Sequence, residues 1–144
     1  GIENFMVQAG GDLFVSGQKD DKPWMVGIKD PRGPAASYFA TAPIRDRACS
    51  TAGDYERSFV QSGKRYHHII DPRTGYPADK CQSVTIIAPN TAFADALAKG
   101  VFILGPGDGM ALAEKCEGVE GSVVAADGTV TMSKGLRMKV SVEK

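Results

Sequence analysis

The chain is 144 residues long and carries seventeen Lys and Arg against seventeen Asp and Glu, for a formal net charge of zero. That length is one domain's worth, enough to bury roughly 68–70% of the surface the unfolded chain exposes. No run of like charge is long enough for a nucleic-acid arm, and the longest apolar stretch, around Ala96 to Leu104, falls far short of the roughly 20 residues of a membrane helix.

In chain order the first half reads as strands and turns. "FMVQAGGDLFVSG" has β-type residues on both sides of Gly10-Gly11-Asp12, and a double glycine within a strand pattern signals a bulge or a close backbone approach. "QKDDKP" turns the chain into "WMVGI", and "DPRGP" breaks it again before "ASYFATAPI". From Asp46 the pattern predicts a strand, a glycine turn, a second strand, a tight turn at Ser62-Gly63-Lys64, and a strand running into His67 and His68.

"SVTIIAP" is a short β-rich run that stops at Pro89, and Asn90-Thr91 offers a helix cap. Phe93, Leu97, Val101 and Leu104 then recur at helical spacing and Gly105-Pro106 stops them, which predicts a helix over Thr91 to Leu104. A second helix is expected over Gly107 to Lys115. "SVVAADGTVTM" reads as a hairpin with Asp127-Gly128 at its turn, and "LRMKVSV" alternates, so Leu136, Met138, Val140 and Val142 are expected to face a core from a strand. Strands dominate and one helical pair comes late, which argues for an α+β fold: a mainly antiparallel sheet with that pair packed on it, over residues 1–144 as a single domain.

Cys49, Cys81 and Cys116 are odd in number and form no Cys-x-x-Cys pair, so they are read as buried thiols. His67 and His68 are the only histidines. In an extended segment they point to opposite faces, so one is structural, and His68 lies closer to the following turn. Asp71-Pro72-Arg73-Thr74-Gly75 has turn chemistry of its own, and two uses for it stay open. Arg73 and the amides around Thr74 and Gly75 could receive a phosphate, or the segment could simply turn the chain. Asp95 and Lys99 stand one helical turn apart among alanines, which fits an ordinary surface ion pair and also fits a ligand or a hard cation approaching the helix closely.

Five segments in this order resemble the FAD:protein FMN transferase family, the ApbE-like flavin transferases. They are "GGD" at Gly10, "WMVGIKDP" at Trp24, "STAGDYER" at Ser50, "HIIDPRTGYP" at His68 and "ADALAKGVFILGP" at Ala94. The resemblance implies magnesium-dependent cleavage of FAD, transfer of FMN to a threonine hydroxyl of an acceptor protein such as a respiratory ion-pump subunit, and release of AMP. It implies that His68 is the motif histidine, plausible as the base on the threonine, and that Asp95 is a metal ligand. Gly10, Gly11, Asp12, Thr51, Ile70, Asp71, Arg73, Thr74 and Gly75 are implied to lie along the flavin nucleotide. Members of this kind are commonly exported to the periplasmic side and held at the membrane by an N-terminal lipid anchor.

The chain departs from the family pattern in three places. Lys99 stands where the family commonly has a metal-binding threonine, and an ammonium cannot ligate magnesium. Ala52 replaces a serine in the turn after Ser50-Thr51. The glycine-rich upstream segment that supplies a backbone metal ligand is not in this sequence, so the chain is expected to be the C-terminal half of a longer flavin transferase. Two rivals stand beside this reading: an FAD pyrophosphatase giving FMN and AMP, in which water replaces the threonine, and a flavin-nucleotide binding or structural domain without turnover, which Lys99 and the missing upstream segment favour.

Overall fold

The computed structural model describes residues 1–142. In chain order the strands are β1 Phe5–Ala9, β2 Asp12–Ser16, β3 Trp24–Lys29, β4 Tyr38–Ile44, β5 Arg47–Gly53, β6 Ser58–Gln61, β7 Lys64–His67, β8 Ile70–Asp71, β9 Tyr76–Pro77 and β10 Cys81–Ala88. Helices α1 Thr91–Leu104 and α2 Asp108–Lys115 follow, then β11 Glu120–Ala125, β12 Val130–Met132, a short α3 Lys134–Arg137 and β13 Ser141–Val142.

Six strands form one antiparallel sheet in the order β1-β2-β5-β10-β11-β12, with α1 and α2 on one face. A smaller sheet, β13-β4-β3, packs on the other face. The α+β architecture expected from the element order is the observed one. Strand alternation in β5 divides the two interiors: Ala48 and Ala52 join the core under the helices, while Cys49 joins the core under the small sheet. β10 lies in the middle and is covered on both faces, so "SVTIIA" is buried without a break, Ser83 and Thr85 included, rather than on alternate residues.

Helix α1 starts where Asn90 caps it, its side-chain oxygen accepting from the Phe93 amide at 2.9 Å. Its buried stripe is Ala94, Leu97, Ala98, Val101 and Phe102. Phe93 stands at the rim of that stripe, 40% exposed. The two alanines let the helix lie close on β5 and β10, where a larger side chain would overpack the contact at a cost of about 1–3 kcal/mol. Asp95 and Lys99 consequently emerge at the edge of a tightly seated helix.

The β6–β7 hairpin closes through Ser62 and Gly63, both at positive φ, the arrangement that two-residue hairpin loops favour. The C-terminal expectation needs correcting. Ser133 Oγ accepts from the Leu136 amide at 3.4 Å and starts α3, so residues 134–137 are helical rather than extended. Leu136 is buried as expected, but Met138 is 74% exposed. A local cap outweighed two-residue alternation over this short span, and only Ser141–Val142 pairs as a strand, beside β4. The expected orientation of the Val142 side chain falls outside the described residues.

Candidate active site

A groove of about 760 Å³ opens beside the β1–β2 turn, with β3, β5, the turn after β5, His68 and α1 as its other walls. Gly10 turns the chain at φ +62, and a Cβ on Gly11 would stand 3.2 Å from the Thr51 carbonyl oxygen. The double glycine therefore marks a close approach of the hairpin to β5. The Thr51 amide completes that contact by donating to the Gly11 carbonyl at 3.3 Å.

This seating brings Asp12 opposite Ser50 in the β2–β5 register. Ser50 Oγ donates to Asp12 Oδ1 at 2.6 Å and lies 3.4 Å from Asp95 Oδ1. A hydroxyl has one proton to give, and the shorter contact takes it. Asp95 pairs instead with Lys99 Nζ, one turn along α1. Thr51 points to the opposite face from Ser50, and its hydroxyl meets that of Thr85 at 2.9 Å.

The adjacent histidines part company. His67 is buried, its Nδ1 accepting from the Ile69 amide at 3.3 Å, so Nε2 carries the proton and donates to the Ala78 carbonyl at 2.9 Å. Its ring meets Phe102 edge-on, and burial lowers its pKa, so it is a neutral structural group. His68 is exposed at the mouth of the groove, where a second, apolar pocket of about 390 Å³ adjoins it. Ile70 lines that second pocket together with Phe59 and Tyr66, whose rings stack 5.2 Å apart.

Asp71, Arg73, Thr74 and Gly75 line neither cavity. The Asp71 carbonyl accepts from the amides of Thr74 at 3.1 Å and Gly75 at 2.8 Å, so those donors are spent and form no anion cradle. Arg73 folds back so that Nη2 meets Asp71 Oδ2 at 2.7 Å and Nε meets Oδ1 at 2.9 Å. That pairing holds the Asp71 carboxyl down to about 2. Within the turn the amides of Arg73, Thr74 and Gly75 are taken by Asp71, while the Arg73 side chain is 56% exposed.

The oxygens of Asp12, Ser50 and Asp95 are the ligand type a hard cation takes. Among the described residues, however, no group of three or more His, Cys, Asp and Glu side chains could hold a metal. The carboxylate best placed for one is in contact with an ammonium. The residues of this chain alone do not fit magnesium.

Two further features were illegible in the sequence. Ser50 opened the "STAGDYER" segment with no role of its own, since its partners Asp12 and Asp95 are remote in sequence. Arg32 forks onto Asp54 with contacts of 2.7 and 2.6 Å, tying the "DPRGP" loop to the turn after β5, and no local signal announces that pair. The thiols followed expectation in part: Cys49 and Cys81 are buried, with pKa values pushed up to about 12 by burial, while Cys116 is half-buried.

The model of the ApbE family matches residues 1–123. The FAD:protein FMN transferase of Treponema pallidum (strain Nichols) is 38% identical over 151 residues, covering 98% of this chain and 42% of the relative. The solved ApbE protein of Thermotoga maritima aligns with a TM-score of 0.85 and 39% identity, covering 94% of this chain and 44% of that one. The apo flavinyl transferase ApbE of Pseudomonas stutzeri aligns with a TM-score of 0.76 and 31% identity over 96% of this chain and 44% of that one. The chain thus spans less than half the length of the relatives it matches.

Proposed function

This chain belongs to the ApbE family, and from that premise we propose that it forms part of the site of an FAD:protein FMN transferase. FAD lies along the groove. His68 takes the proton of an acceptor protein's threonine hydroxyl, and the threonine oxygen attacks the FMN-side phosphorus. The bond from that phosphorus to the bridging oxygen breaks, AMP leaves with the bridging oxygen, and FMN stays on the threonine as a phosphoester. Such a displacement needs charge neutralisation and alignment more than covalent help.

The observation that carries this reading is the convergence of Asp12, Thr51, His68, Asp95 and Lys99, from four separate parts of the chain, on one groove. His68 stands in solvent at its mouth, free to meet another protein's side chain. Magnesium was expected here from the family resemblance, but this chain's own donors do not fit it, and no step is assigned to it.

The same exposure favours a second reading. Water reaches His68 as readily as a hydroxyl does, so in the absence of an acceptor the site would hydrolyse FAD to FMN and AMP. Incubating the intact protein with FAD and a threonine-bearing acceptor peptide separates the two. Peptide gaining one FMN by mass, with AMP released in equal amount, supports transfer. Free FMN and AMP with unmodified peptide would establish hydrolysis, and binding without either product would reduce the chain to a nucleotide-binding part.

A further inference from the structure

Lys99 lines the groove beside Asp95, the carboxylate that the family resemblance implies as a metal ligand. It shares a face of α1 with Asp95 and pairs with Asp95 Oδ1, the carboxylate oxygen that also lies 3.4 Å from Ser50 Oγ. Ser50 commits its proton to Asp12, so Lys99 is the partner left for Asp95. Asp12, Asp95 and Lys99 all line the groove.

The charges decide what that wall can accept. A divalent ion on Asp95 would sit against the ammonium, two like charges at contact distance, and magnesium would also have to complete an octahedral shell of oxygens that Lys99 cannot enter. A pyrophosphate meets the opposite situation. The Lys99 side chain is 44% exposed and that of Asp95 39%, so their contact is an ordinary i,i+4 pair, weak and readily exchanged. Lysine binds phosphate as a mobile point charge on a flexible stem, and a diphosphate presents more negative charge than the carboxylate it would leave.

We propose that Lys99 takes the place of the divalent cation: its ammonium rests on Asp95 in the free protein and moves to the pyrophosphate of the bound dinucleotide, so that nucleotide binding here does not depend on magnesium. Asp95 is then a positioning residue that holds the ammonium at the groove until ligand arrives. The inference rests on the flavin-dinucleotide reading given above.

The test is titration of FAD into the intact protein, followed by flavin fluorescence, in EDTA and in saturating magnesium. The wild-type dissociation constant should differ by less than about twofold between the two conditions, and Lys99→Met should weaken binding in EDTA by about tenfold or more. Lys99→Arg should retain most of the affinity, because it keeps the charge. Position 99 is half exposed, so these variants should keep the wild-type melting temperature.

A second readout needs no nucleotide. Manganese added to the wild-type protein should keep the paramagnetic resonance spectrum of the free ion, whereas Lys99→Thr, which supplies a hydroxyl and removes the charge, should bind it. Tight manganese binding by the wild type, a wild-type FAD affinity that falls about tenfold in EDTA, or a Lys99→Met variant that binds FAD normally in EDTA would each overturn the inference. Those results leave the flavin reading standing, while absence of FAD binding under both conditions would remove both.

Discussion

The turn at Asp71–Gly75 and the groove wall at Asp12, Asp95 and Lys99, with buried Ser50 behind it, are made of the same kinds of residue: carboxylate, hydroxyl and cation. They behave oppositely. In the turn, Asp71 takes the amides of Arg73, Thr74 and Gly75 and the guanidinium of Arg73, all within five residues, and these residues line neither cavity. At the groove wall, Asp12 and Ser50 are 38 positions apart and Ser50 and Asp95 45, and the partners are held by strand register and helix seating rather than by one another. A locally closed network stabilises its own loop, whereas one assembled across elements leaves exchangeable contacts facing open space. The two neighbouring histidines repeat the contrast, with His67 satisfied inside and His68 exposed outside.

The largest effect that would sharpen this contrast is expected at His68. Replacing it with Ala should slow FMN transfer by about 10²–10⁴-fold, the usual worth of a positioned proton acceptor, with melting temperature and FAD affinity unchanged. Single-turnover labelling of the acceptor peptide measures this, and a rate close to wild type would place proton transfer elsewhere. At the neighbouring position the pattern should invert. His67→Ala leaves the Ala78 carbonyl and the Ile69 amide without their partner and opens a cavity beside Phe102, costing about 2–4 kcal/mol in urea unfolding.

His67 also predicts a pH profile. Burial lowers its pKa below the ordinary 6.5, so the folded state prefers the neutral ring. Its contribution is present above pH 6.5 and declines as pH falls through the folded-state value. Melting temperatures across that window should show the decline, and His67→Asn should flatten it.

The smallest effects belong to the turn. The Asp71 carboxyl is held at about 2 rather than 3.8, so its contribution is present above the unfolded value and is lost as pH falls toward 2. Asp71→Asn should erase that acid-side step, read from melting temperatures. Neither it nor Arg73→Ala should change FAD affinity by more than about twofold, since neither residue lines a cavity. A large loss of FAD binding in Arg73→Ala would collapse the distinction between the two regions.

What could be read in the sequence follows the same division. Helix α1 was legible to the residue, because Asn90, an apolar period and Gly105-Pro106 are all local signals, and the hairpin turns at Ser62-Gly63 and Asp127-Gly128 were legible for the same reason. The C-terminal "LRMKVSV" misled, since its two-residue alternation spans a segment that the Ser133 cap turns into helix. Strand alternation separated the two histidines, and the following turn with the family resemblance pointed to His68 as the outward one. The position of Asp12 beside Ser50 and Asp95 could not be seen, because it depends on the β2–β5 register and on how closely two alanines let α1 approach the sheet. The same residue types at Asp71–Gly75 attracted a phosphate-binding expectation, and the sequence alone did not show that the Thr74 and Gly75 amides bond the Asp71 carbonyl.

Amide chemical shifts of isotopically labelled protein titrated with FAD test the central distinction most directly. The account predicts progressive shifts at Gly10, Gly11, Asp12, Thr51, His68 and Lys99, with Arg73, Thr74 and Gly75 unmoved. Shifts concentrated at Arg73, Thr74 and Gly75 with a silent groove would contradict it.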